Sequence, residues 1–237
     1  MAFIHGKGTN VWVDAVDLSA FFHSADFGVD VDTAETSTYG STWKTYLAGL
    51  AGGEISLEGY YDPTETTLID LLPDTANLIT IGVGSGAVGG AARLASTITT
   101  AYGESAPIGG VVAMTWSLMV NGAAGVKGGR ILKPMDTVTA AANGTTVDHG
   151  AGSAAAGAVA HLHATAISAG DSIDVTIEDS STGSSGWATV GTFANLAAPG
   201  SERIVIAGTV KRYTRAVWAE TNDGSPSYTF AVSLART

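Results

Sequence analysis

The sequence predicts a mainly β protein of two domains, the second a compact β-sandwich or jelly roll, with one helix among the strands of the first. Segments rich in β-branched and aromatic residues recur through both halves, separated at short intervals by glycine, asparagine, aspartate and proline. Helix signals are confined to the first half. With 31 glycines, 6 prolines and 45% apolar residues in 237, the chain is neither disordered by composition nor collagen-like, since no strict glycine period runs through it.

Taken in order, the first strand signal is residues 9–14 (TNVWVD). Residues 27–49 follow, a long polar stretch in which Tyr39, Trp43 and Tyr46 are embedded. A purely solvated loop seldom carries three aromatics, so an extended hairpin that packs on a partner is expected. In residues 54–61 polar and apolar types alternate, which turns Ile55 and Leu57 toward a core and leaves Glu54 and Glu58 outside. Asp62, Pro63 and Glu65 then read as N-cap, first helical residue and capping-box partner of a helix whose apolar face is Leu68, Ile69, Leu71 and Leu72. Residues 77–83, 97–102 and 111–120 are further strand signals, and a weaker helix is expected within residues 87–96. Residues 136–147 fall in a small, polar stretch and are expected to link a first domain, 1–135, to a second, 148–237. The second half supplies six strand signals, at residues 158–167, 172–178, 187–193, 202–207, 212–219 and 227–234.

Charge excludes several function classes. The chain holds 11 Lys and Arg against 22 Asp and Glu, a net of -11, of which -7 falls in residues 1–135 and -4 in 136–237. Clamping nucleic acid needs clustered cations, so a nucleic-acid-binding role is not expected. Cysteine is absent, which removes thiol chemistry and disulfide scaffolds and suits folding in a reducing cytoplasm. The first residues lack the apolar stretch of a signal peptide, and residues 110–120, the most apolar window, are too few to span a bilayer, so a soluble chain is expected.

Motifs for chemistry are sparse. Gly84, Gly86 and Gly89 form G-x-G-x-x-G after a strand signal, with Glu104 twenty residues beyond the first glycine, but the surrounding chain is not an alternating α/β sequence. An ordinary connection is the simpler reading. His161 and His163 share one face of a strand and could ligate a metal, with Asp148 and His149 upstream; the plainer reading places both on a solvent face. The acids at 171, 174, 178 and 179 read as solvated, and no G-x-S-x-G occurs. Trp187, Tyr213 and Trp218 could stack on a sugar, although the odd spacing of Tyr213 and Trp218 puts them on opposite faces of a strand. No catalytic, cofactor or metal site is expected, and no enzyme.

The opening residues 3–9 (FIHGKGT), 11–14 and 17–22 (DLSAFF), residues 54–62 (EISLEGYYD), the helix signal after Asp62 and residues 101–122 resemble major tail (tail tube) proteins of long-tailed bacteriophages. The resemblance covers about residues 1–135. It implies a tail-tube-type β-sandwich or barrel with a flanking helix, assembled as hexameric rings that stack into a tube conducting DNA into the host. Residues 148–237 resemble the Ig-like or jelly-roll-like sandwiches appended to such proteins and displayed outside the tube. The implied partners are other copies of the chain, other tail proteins, DNA that passes without specific binding, and host-surface glycans met by the second domain, with no membrane and no cofactor. The implied location is the virion tail, assembled in the host cytoplasm. Residues 27–49 match the family's inter-ring hairpin, which makes Asp30, Asp32, Glu35, Tyr39, Trp43, Lys44 and Tyr46 candidate inter-subunit contacts. A negative lumen lets DNA slide, and Asp14, Asp17, Glu54, Glu58 and Asp62 are the candidate lumen acids. Rival readings are a capsid decoration or fibre-associated protein and a carbohydrate-binding module.

Overall fold

The computed structural model describes residues 5–63, 76–122, 124–150, 152–221 and 226–237. In chain order its strands are β1 (Asn10–Val13), β2 (Val16–Asp17), β3 (Phe22–Glu35), β4 (Tyr46–Tyr60), β5 (Asn77–Gly82), β6 (Ala91–Ser105), β7 (Ala113–Val120) and β8 (Lys127–Val138). They continue with β9 (Ala142–Asn143), β10 (Val147–Asp148), β11 (Ala158–Ile167), β12 (Ser172–Ser180), β13 (Ala188–Thr192), β14 (Gly200–Ile206), β15 (Tyr213–Thr221) and β16 (Tyr228–Arg236). The mainly β expectation holds. The helix expected after Asp62 lies outside the described residues, and the weaker helix within 87–96 is replaced by turns and the start of β6.

Contacts gather the chain into two units. One comprises residues Met1–Ala20, Leu78–Leu94 and Lys127–Thr237; the other comprises Phe21–Asn77 and Ala95–Val126. These are not the divisions expected at 135 and 148. Strand β8 pairs along its length with β16, so residues expected to close the first domain are hydrogen-bonded into the sheet of the C-terminal residues. Residues 136–147 hold the end of β8 and then β9, which pairs with β15.

In the first unit a long antiparallel sheet runs β14-β11-β16-β8-β6-β5-β1-β2, and a smaller one runs β10-β15-β12-β13 with β9 beside β15. Leu162, Val232, Leu234 and Phe230 of the long sheet share one core with Val175, Ile177 and Phe193. That is a sandwich. The opposite face of the long sheet carries a second core of Trp12, Ala92, Leu94, Ile131, Ala231 and Ala235. The two ends of this sheet meet through side chains, since Ser201 of β14 donates to the carboxylate of Asp14, in the β1–β2 turn, at 3.0 Å. Asp14 takes φ 47, a conformation that a short polar residue tolerates, and its carboxylate also accepts from the Leu78 N–H at 2.8 Å.

This curl buries His161 and His163, which the solvent-face reading had left outside. His163 Nδ1 lies 2.9 Å from the Asp14 carbonyl, which can only accept, so Nδ1 carries the proton and Nε2 accepts from Thr80 Oγ1 at 2.9 Å. Thr80 Oγ1 then accepts from His161 Nδ1 at 3.1 Å. Both imidazoles are neutral in this chain of bonds. Burial holds His163 down at about 4 and pushes His161 well below its ordinary value.

In the second unit the sheet runs β3-β4-β7 and then residues 97–105 of β6. Ile55, Leu57, Met114, Trp116 and Leu118 are buried, with Phe22 stacked on Trp116 at 6.3 Å, while Glu54, Glu58 and Thr115 point the other way. The alternation in residues 54–58 is as expected.

Two outcomes follow from these contacts. Deleting residues 148–237 removes β11, β14 and β16 from the long sheet, so the truncated chain should lose its cooperative thermal transition by circular dichroism instead of folding as a module. The histidines give a pH dependence. With folded values below the ordinary 6.5, the unfolded chain binds protons that the folded chain does not, so stability is full above pH 6.5 and falls as the pH drops toward about 4. Each such histidine contributes a slope of up to about 1.4 kcal/mol per pH unit there. Thermal melts between pH 4 and 7 should show that slope, and His163→Gln should reduce it.

Candidate functional site

The register of β3 on β4 sorts the second unit's charges and apolar groups onto opposite faces. Ser24 pairs with Glu58, Asp26 with Ser56, Gly28 with Glu54 and Asp30 with Gly52, so Asp26, Asp30, Glu54 and Glu58 occupy one face. All four are exposed. The neighbouring strand adds Thr115, opposite Glu58, and Ser117, opposite Ser56. No cation pairs with this row among the described residues. The other face begins as core, where Phe27 pairs with Ile55, and runs on through Val29 opposite Gly53 and Val31 opposite Ala51. Beyond Gly53 its cover ends: Val29 is 58% exposed and Val31 49%. An open cavity of ≈ 470 Å³ lies there, lined by Val29, Leu50, Ala51, Val120 and Val126 among others.

Residues 28–35 and 46–52 are thus a two-stranded ribbon exposed on both faces. A bulge between Val31 and Thr33 breaks its pairing, and Gly49 fits there because a Cβ would lie 3.1 Å from the Asp32 Cβ. The ribbon's end is closed by Thr36 and Thr45, whose backbones and hydroxyls hydrogen-bond, and by an exposed ion pair of Lys44 with Glu35 at 3.0 Å. Beyond it Trp43 is 85% exposed and Tyr39 is exposed, as are Tyr46 and Leu47 on the ribbon itself. An isolated two-stranded ribbon is marginal in water, and this one carries apolar side chains that its own unit leaves exposed.

The sequence candidates therefore divide. All seven hairpin candidates lie on the ribbon or its end loop, with Asp30 and Asp32 on strand β3 itself. Of the five candidate lumen acids, only Glu54 and Glu58 share the acidic face. Asp14 is spent on Leu78 and Ser201, and Asp17 accepts from the Ser19 N–H at 3.0 Å, both in the first unit. Asp62 lies beyond the end of β4. Asp26 was missed; strand parity with Glu54 across a two-residue-per-face register would have found it once the hairpin pairing was known.

The other motifs are absorbed by the fold. Gly84 to Gly89 turn the chain from β5 into β6, so a strand, not a helix, follows the G-x-G-x-x-G, and Glu104 accepts from the Tyr102 hydroxyl at 2.7 Å. The two strand histidines spend their facing nitrogens on Thr80. Trp218 packs edge-on against Phe230 at 5.7 Å, while the Trp187 ring is covered by the Arg215 guanidinium at 4.3 Å and Tyr213 by Arg212 at 5.0 Å. These three rings form no open platform. None of the described helices is long and apolar enough to cross a membrane.

No family model and no curated protein matches the sequence. Among solved structures, 50% of this chain matches 95% of a chain in the virion of a native gene transfer agent particle, at 14% identity and a TM-score of 0.43. In the sheath–tube complex of an extracellular contractile injection system, 54% of this chain matches 92% of a chain at 17% identity and a TM-score of 0.44. The SPP1 Dit protein, described as a hub adsorption apparatus protein of phages infecting Gram-positive hosts, matches over 96% of this chain and 98% of its own, at 15% identity and a TM-score of 0.37.

Proposed function

We propose that the chain is a non-enzymatic structural subunit that polymerises as stacked hexameric rings, as in the family its first 135 residues resemble, into a phage tail tube that conducts DNA. The observation that carries this reading is the exposed ribbon, on which one face is acidic and the other continues the core without cover. A monomer gains nothing from an uncovered Trp43 and Val29, whereas a second copy that covers them gains apolar burial at about 25 cal/mol per Å². The acidic face has the complementary property. A wall of carboxylates offers DNA phosphates no counterions to release, so DNA beside it slides instead of sticking.

Negative-stain microscopy of the purified protein tests the assembly: rings or tubes are expected, and a chain that stays monomeric at high concentration overturns it. Trp43→Ala should leave the thermal transition of the isolated chain unchanged, because the side chain touches little of its own fold. If it anchors the interface, it should raise the concentration needed for assembly roughly thirtyfold, the equivalent of about 2 kcal/mol. The conduit is tested on the acidic face. Asp26→Lys, Glu54→Lys and Glu58→Lys should each assemble and yet impair DNA delivery in an infection assay, since screening at physiological salt acts over about 8 Å and a narrow channel keeps DNA within reach. Asp17→Lys, away from that face, should deliver normally.

A further inference from the structure

A chain with twice as many acids as bases would be expected to surround each arginine with carboxylates, yet on neighbouring middle strands of the first unit's long sheet several cations stand together, none of them in an ion pair among the described residues. The register pairs Ala91 with Arg130 and Arg93 with Gly128, and pairs Arg130 with Leu234, two residues before Arg236. Arg93, Arg130 and Arg236 therefore lie on one face of adjacent strands β6, β8 and β16. His149 follows β10 of the smaller sheet. An open cavity of ≈ 250 Å³ is lined by Ala91, Gly128, Gly129, Arg130, His149 and Arg236.

The donors of this cluster are only partly used. Arg130 gives one Nη1 bond to the Gly89 carbonyl at 2.7 Å, and Arg236 gives Nη1 bonds to the carbonyls of Gly152 and Lys211, each at 2.9 Å. The buried Nε of Arg236 has no acceptor among the described residues. His149 uses Nε2 on the Thr214 hydroxyl at 2.8 Å. None of the three arginines forms an ion pair among the described residues, and the acid beside them, Asp148, is held by both forks of Arg212 at 2.7 Å. Burial, with the two guanidinium groups of Arg236 and Arg130 nearby, holds the His149 imidazole down at about 4. Like charges gathered at close range cost free energy that an anion between them returns, and guanidinium forks match tetrahedral oxyanions.

We infer that the cavity between Arg130, His149 and Arg236 is a binding site for a phosphate group, taken as the free ion or as the end of an organic monoester. It is independent of the ribbon and of tube assembly. The test is calorimetric titration of the full chain with inorganic phosphate at low salt, against chloride at matched ionic strength. One saturable site is expected. Arg130→Gln and Arg236→Gln should each weaken binding at least tenfold, while Arg203→Gln, on β14, should leave it unchanged. Heats no larger than those of chloride, or variants that bind as the parent does, overturn the site. Because both variants also free backbone carbonyls, amide spectra of the unaltered chain provide a second reading. Phosphate should move the signals of Gly128, Gly129 and His149, and shifts that are absent or centred elsewhere overturn it. Glycerol phosphate separates the two sources. Displacement of bound phosphate identifies a monoester end as the ligand, and failure to displace identifies the free ion.

Discussion

Strand β11 is buried on both faces, and the rest of the first unit is arranged around that burial. Ala160, Leu162 and Ala164 meet the sandwich core, while Val159, His161 and His163 face the inside of the curled sheet. Two buried imidazoles cannot be left without partners, because an unmet polar group in an apolar surrounding costs more than its hydrogen bond returns. Thr80 on β5 and the carbonyl of Asp14 in the β1–β2 turn supply the bonds. Those contacts bring the two ends of one long sheet together, so a polar requirement fixes how an apolar sheet closes. The tie spans the sequence: residues near 14, 80 and 163 must all be in place before His163 is met at both ring nitrogens.

The second unit obeys the opposite rule. Its sheet has a satisfied core around Trp116, and then its core face continues beyond its cover into the ribbon. What stabilises the ribbon within the chain is local: the ladder of β3 on β4, the Thr36–Thr45 closure and the Lys44–Glu35 pair. Exposed pairs of this kind contribute little. One strand register produces both the apolar strip and the row of acids, because side chains alternate faces along it.

How much of this was legible in the sequence differs by element. Strand β11 was placed at its observed ends, and β4 was read correctly where Glu54 to Glu58 alternate, because each pattern reports directly on which face is wet. Strand β8 was not recognised. Lys127, Gly128, Gly129, Lys133 and Pro134 make it look like a loop, yet each has a tertiary reason. A Cβ at Gly129 would lie 2.4 Å from the Leu234 carbonyl, Lys133 Nζ donates to the Phe230 carbonyl at 2.8 Å, and Pro134 falls where the pairing with β16 shifts register. The hairpin and its embedded aromatics were legible in residues 27–49, but the acidic face was not, since Asp26 joins Glu54 and Glu58 only through pairing across two strands.

By itself the sequence determined the strand content, the alternation within single strands and the acidic balance of the whole, because each depends on neighbours within a few residues or on composition alone. Only the tertiary structure decided that β8 joins β16, that His161 and His163 turn inward to Thr80, and that the acids near residue 14 part company with those at 54 and 58. The reason is physical: which face of a strand is buried follows from periodicity, but what covers that face is chosen by residues far away in the chain, as Thr80 is from His161.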